Sequence, residues 1–166
     1  QFQSEEYAFI DALDQPVALW TNLLVEDGIH RNSLNQRENP IEEHIIDLPD
    51  FDKKGVWSQK YAERLRELQY QSSRLKEVQR TLESIQSQEV KAEYNLEIYT
   101  EVIHLVDYNF RLMNLLKAFD SAQTDKEEAQ VISDLFALVV DFNSVREQFE
   151  EVYSKTRILN KPEDYI

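Results

Sequence analysis

Histidines and carboxylates are the residues of this chain whose types suit metal binding or acid–base chemistry. Di-iron sites in four-helix bundles need a Glu-x-x-His motif on each of two helices. This sequence has one such motif, Glu101 to His104, without its partner. None of the three histidines has another histidine three or four residues away, so a two-histidine metal site on one helix is not indicated. We therefore predict no metal site, and we expect His104 to be a packed or boundary side chain.

Nucleophilic and phosphate-binding chemistries lack the residues they need. The chain has no cysteine, which excludes thiolate nucleophiles, disulfides and cysteine metal ligands. Its two glycines, Gly28 and Gly55, are isolated, which excludes a glycine-rich phosphate loop. Serines occur without the motif of a nucleophile elbow. We therefore predict neither a catalytic residue nor a bound cofactor in this chain.

One short stretch gathers an aromatic side chain and ionisable groups around a glycine and is the best candidate for ligand contact. The candidate residues are Trp20, Glu26, Asp27, His30 and Arg31. An exposed tryptophan supplies a flat face on which a sugar ring can stack, so a glycan is the ligand considered. The alternative interpretation is a helix end at Gly28, where the same polar groups would serve as capping residues.

The net charge of −14 limits the partners. Such a surface repels nucleic acid and anionic membranes unless a basic patch overrides it. The densest basic group, between Lys53 and Arg66, is interleaved with acidic residues, as on a solvated helix face. No apolar run approaches the ~20 residues of a membrane-spanning helix. We predict no binding to nucleic acid and no membrane insertion.

Apolar residues recur at spacings of three, four and seven, which predicts an all-α fold. Only two glycines and four prolines interrupt the chain. The predicted apolar sides of three long helices consist of these residues: Trp57, Tyr61, Leu65, Leu68, Leu75, Val78, Leu82 and Ile85; then Leu96 to Phe119, densely apolar; then Val131, Leu135, Leu138, Val139, Phe142, Val145, Phe149 and Val152. The middle helix is apolar around more than half its circumference and is therefore expected to be central.

These patterns predict an up-down bundle of three long antiparallel helices, with short N-terminal helices packed on one side or end. We expect a tight reversal near residues 88–93. Thr124 and Glu127 form a predicted capping box at the start of the third helix. Residues 1–50 would form the short helices and a connection, and residues 51–166 the long-helix bundle, together in one compact domain. The polar start and the end just after a turn suggest a piece of a longer protein.

Four sequence phrases together resemble a known family. They are NPIE at 39–42, IDLPD at 46–50, GVWS at 55–58 and VYSKTRILNKP at 152–162. They resemble the helical region that follows the catalytic barrel in exported glycoside hydrolases of Bacteroidetes type, nearest to the β-N-acetylhexosaminidase-like enzymes of family 20. The resemblance covers roughly residues 30–166, and it carries over no catalytic residue.

The resemblance implies a noncatalytic accessory domain of an exported enzyme that acts on complex glycans. Its partner would be the catalytic domain of the same polypeptide, and its location periplasmic or extracellular, although zero cysteine fits the cytoplasm equally well. The alternative is a free-standing acidic helical bundle that binds another protein. Sugar specificity and oligomeric state do not follow from the sequence.

Overall fold

The computed structural model describes residues 12–17, 46–86 and 93–156. Among these residues all regular structure is helical, which confirms the predicted all-α class. A short helix α1 (Val56–Lys60) precedes three long ones, α2 (Ala62–Gln86), α3 (Glu93–Ser121) and α4 (Asp125–Ser154). The predicted reversal near 88–93 lies outside the described residues, but α2 ends before it and α3 begins at its last residue.

Residues 12–17 form one continuous helical segment. The polar pair Asp14-Gln15 followed by Pro16, a residue suited to begin a new helix, predicts a break here, and this prediction is wrong. Leu13 is 5% exposed and Pro16 is fully buried. The two residues are three apart on one helix face, so a continuous helix buries both, and this burial favours helix over a turn.

The apolar side of α2 packs on the core as its spacing predicts. Every predicted residue from Trp57 to Leu82 is buried, and Ile85 at the end of α2 is partly buried. Between Leu68 and Leu75 the seven-residue spacing predicts Ser72 on the apolar side, but Gln71, which is 3% exposed, fills the gap. The Gln71 amide donates to Glu67 Oε1 at 2.7 Å. Both candidates lie on the same side of the helix, and the longer side chain reaches the interior.

Helix α3 is the central helix, as its broad apolar surface predicts. It packs against α2 and against α4, while α2 and α4 have no comparable interface with each other in the described part of the chain. The largest fully buried side chains include Phe110, Met113, Ile103 and Val106 of α3. Leu13 and Ile46 from the N-terminal segments join the same core.

The start of α1 is held by the end of α3. Asp120, with no exposed surface, accepts hydrogen bonds from Gly55 N at 3.1 Å and from Ser58 N at 2.8 Å. These donors begin a helix whose own N-cap residue supplies no side-chain acceptor, so a residue 62 positions from Ser58 in sequence caps α1. Gly55 has φ of +79°, in the left-handed region that favours glycine.

Lys54 connects the segment before α1 and the end of α3 to α4. Its ammonium group donates to the Phe119 carbonyl at 3.1 Å and pairs with Glu128 at 2.6 Å. It also lies 4.1 Å from the centroid of the Phe119 ring, a distance at which cation–π attraction operates. One side chain therefore links the segment before α1, the end of α3 and the first turn of α4.

The predicted capping box at the start of α4 is confirmed. Thr124 Oγ1 accepts from Glu127 N at 3.3 Å, while Glu127 Oε2 accepts from Thr124 N at 3.1 Å and from Gln123 N at 2.9 Å. The pKa of Glu127 is lowered below its usual 4.5, mainly by the hydrogen bond with the Gln123 amide and next by the hydrogen bond with the Thr124 side chain. The ionised form is therefore the one that the folded state favours.

We expect Glu127→Gln to destabilise the chain at pH 7 and to have a smaller effect at acidic pH. The folded-state pKa is lowered, so the stabilisation is present above about pH 4.5 and is lost as pH falls through the folded-state value. Urea unfolding of both proteins at several pH values checks this. Thr124→Ala removes the other half of the box at a cost of about 1 kcal/mol, and because the Thr124 side chain also lowers the pKa of Glu127, part of that cost should likewise be lost at acidic pH. A difference for Glu127→Gln that grows on acidification would contradict the assignment.

Candidate functional site

The ligand-contact candidates predicted from the sequence, Trp20, Glu26, Asp27, His30 and Arg31, all lie outside the described residues. Of the two tryptophans, only Trp57 is described. It is 4% exposed, donates from Nε1 to the Asp47 carbonyl at 2.6 Å and lies 5.1 Å from the Tyr61 ring. Its expected role in core packing is confirmed.

Glu101 and His104 form a local pair on α3. His104 Nδ1 lies 3.2 Å from Glu101 Oε2, and the two side chains are 41% and 11% exposed. His104 is thus a boundary residue, as expected. In the described segments no three His, Asp or Glu side chains converge as a metal ion would require.

The outward side of α4 is the most unusual surface of the described chain, and we call it the outer face. It consists of Ala129, Ile132, Ser133, Phe136, Ala137, Val139, Val140, Asn143 and Ser144. Phe136, Val139 and Val140 are 70%, 61% and 72% exposed. Successive helical residues are turned by about 100°, so Phe136 and Val140 each point about 160° away from Leu138, which is 2% exposed against α3. The outer face extends over about 24 Å of helix at ~1.5 Å per residue.

The outer face contains no charged residue. The two charged residues in the same stretch of α4, Asp134 and Asp141, lie on its α3-facing side and are partly buried. Asp141 pairs with Arg111 of α3 at 2.8 Å, and Asp134 accepts from Gln130 at 2.9 Å. In contrast, the exposed side of α2 is heavily charged, with Glu63, Arg66, Glu67, Lys76, Glu77, Arg80 and Glu83.

An open groove of about 610 Å³ lies between α3 and α4 beside the outer face. Arg111, Asp134 and Asp141 supply its charges, and Ala137 and Leu138 are among its apolar lining. Two carboxylates face one guanidinium that already forms an ion pair, so the groove carries a net negative charge. Burial and then the Asp141 carboxylate raise the pKa of Tyr108 above its usual value.

Sequence reasoning missed the outer face. It assigned one apolar side to α4 and placed Val139 within it, but Val139 is largely exposed. Leu138 of the same predicted side is buried and Leu135 is partly buried, whereas Val139, about 100° round the helix from Leu138, lies beyond the reach of α3. A signal was present: Ile132, Phe136 and Val140 recur at intervals of four, in a stripe separate from the predicted one.

Comparison with protein-family models, with curated proteins and with solved structures finds no match to this chain. None of the helices in the described ranges is both long enough and apolar enough to cross a bilayer.

Proposed function

We propose that this chain is a noncatalytic helical domain that binds another protein surface through the outer face of α4. The observation that carries the proposal is the exposure of Phe136, Val139 and Val140 on one uncharged helix face. Large apolar side chains grouped in this way on a folded surface favour protein–protein contact. Depletion of charge at the centre of a patch is also typical of protein interfaces.

We infer that the three long helices run up-down-up, each antiparallel to the next. Contacts between α3 and α4 support this arrangement, because Arg111 pairs with Asp141 while Glu97, nearer the start of α3, pairs with Lys155 near the end of α4. For α2 and α3, Gln86 donates to Thr100 at 3.0 Å. Since α3 lies between the other two helices, α4 forms an edge of the bundle and its outer face remains free to bind.

The glycoside hydrolase setting remains a prediction that rests on the resemblance of the four sequence phrases. In that setting the outer face would dock on the catalytic barrel of the same polypeptide, and the domain would be exported. The reading frame on both sides of the encoded segment tests it. A family 20-like barrel encoded upstream would support the setting, and a frame without any barrel would contradict it.

A photoreactive amino acid at Ser133, an exposed position in the outer face, tests the docking role in the full protein in its native cells. We expect a crosslinked adduct of one defined mass. Val140→Glu should abolish that adduct, because a charge is introduced into the apolar contact. Tyr70→Glu, at a 56% exposed position on α2, should leave it intact. No adduct, or an adduct equally sensitive to both substitutions, would contradict the proposal.

A further inference from the structure

We propose that the partner bound by the outer face is a second copy of this chain, packed antiparallel on the first across a two-fold axis. This inference rests on the proposed docking role of the outer face and names its occupant. In a two-fold contact the same surface serves both subunits, so each residue pair occurs twice. A surface suited to this must be complementary to itself.

The outer face has that self-complementarity. Centring the axis between Phe136 and Ala137 brings the Phe136 rings of the two copies side by side, about 1.5 Å apart along the helix axis. The same register sets Val140 opposite Ser133. In the Val140–Ser133 pair a large side chain meets a small one, which is the arrangement that lets two helix surfaces interdigitate.

Charge points to the same register. Just beyond the uncharged stretch, the antiparallel pairing brings Lys126 of one copy opposite Glu147 of the other, and symmetry repeats the pair at the other end. Both side chains are exposed. Each chain carries a net charge of −14, so two copies repel one another over most of their surfaces. The outer face, which has no charged residue, adds no repulsion of its own.

Sedimentation of the full chain over a range of concentrations tests the inference. We expect a monomer–dimer equilibrium that tightens as salt is added, because salt screens the repulsion between the acidic chains. Val140→Glu should weaken dimerisation at least 100-fold, and Tyr70→Glu should change it less than about threefold. Circular dichroism of each variant establishes that the fold is retained.

A charge exchange tests the register. Lys126→Glu should weaken the dimer severalfold, and Lys126→Glu combined with Glu147→Lys should restore it. A chain that stays monomeric at all concentrations overturns the inference, as does a dimer that Val140→Glu leaves intact or a double variant no tighter than the single one. If the chain is monomeric but the Ser133 crosslinker captures a different protein in a Val140-dependent way, self-association fails while the docking function stands.

Discussion

Replacing Phe110 with alanine is expected to lower the free energy of unfolding by about 3–5 kcal/mol. Phe110 is 1% exposed in the middle of α3 and belongs to the core that α2 and the N-terminal segments share. Its removal takes a large apolar side chain out of the interior and leaves a cavity that the neighbouring helices fill only partly. Domains of this size are stable by about 5–15 kcal/mol, so the loss is a large fraction of the total.

Phe136→Ala is the matched control, because it makes the same chemical change on a neighbouring helix at a 70% exposed position. Chemical denaturation of both variants at low protein concentration measures the difference. The expected effect of Phe136→Ala lies within about 0.5 kcal/mol, as for other surface substitutions. Similar losses for the two variants would mean that Phe136 packs inside the fold, and the outer face would not exist.

Replacing Asp120 with alanine is expected to cost about 1–3 kcal/mol. The substitution leaves the partly buried Ser58 N without the carboxylate that accepts its hydrogen bond, and an unsatisfied donor of this kind costs about 1–3 kcal/mol. The exposed Gly55 N loses the same carboxylate but keeps the Asp120 backbone carbonyl at 3.0 Å. Because this contact joins the start of α1 to the end of α3, its loss should also loosen the segment before α1. Hydrogen exchange of the amides from Val56 to Lys60 should accelerate more than exchange in α4.

Asp120→Asn tests whether the charge and the second oxygen of the carboxylate contribute to stability beyond the presence of one polar acceptor. The amide keeps one oxygen acceptor, so we expect a loss of roughly half that of alanine. Asp52→Ala removes an exposed carboxylate from the same corner and should change stability by less than about 0.5 kcal/mol. If Asp120→Ala were no more harmful than Asp52→Ala, the long-range cap would have no energetic role.

Features that depend on neighbouring residues in the sequence could be predicted. The capping box at Thr124 requires only a residue three positions away, and the buried side of α2 follows from the spacing of its leucines. The Asp120 cap could not be predicted in this way, because its donors lie 62 and 65 residues distant. Within α3 alone, an acidic residue such as Asp120 at the C-terminal end is unfavourable, because that end of the helix dipole is negative. The start of α1 explains its presence.

The candidate site was predicted less well than the fold, and the reason is geometric. Periodicity identifies apolar stripes on a helix, but it does not say which stripe meets a neighbour. On α4 two stripes are close together, and the choice between Val139 and Leu138 depends on where α3 lies. Because α2 does not cover α4, the second stripe stays exposed. The predicted ligand contacts around Gly28 lie outside the described residues and remain predictions.

The central claim is that α4 buries one side against α3 and leaves its opposite, uncharged side exposed for docking. Thiol labelling tests it most directly, because the chain has no cysteine of its own and a single introduced cysteine therefore reports on one position. In dilute protein, a cysteine at Phe136 should react at the rate of a free thiol. A cysteine at Leu138 should react more slowly by a factor of about 100 or more. Equal rates at the two positions, or protection of the Phe136 position, would contradict this arrangement.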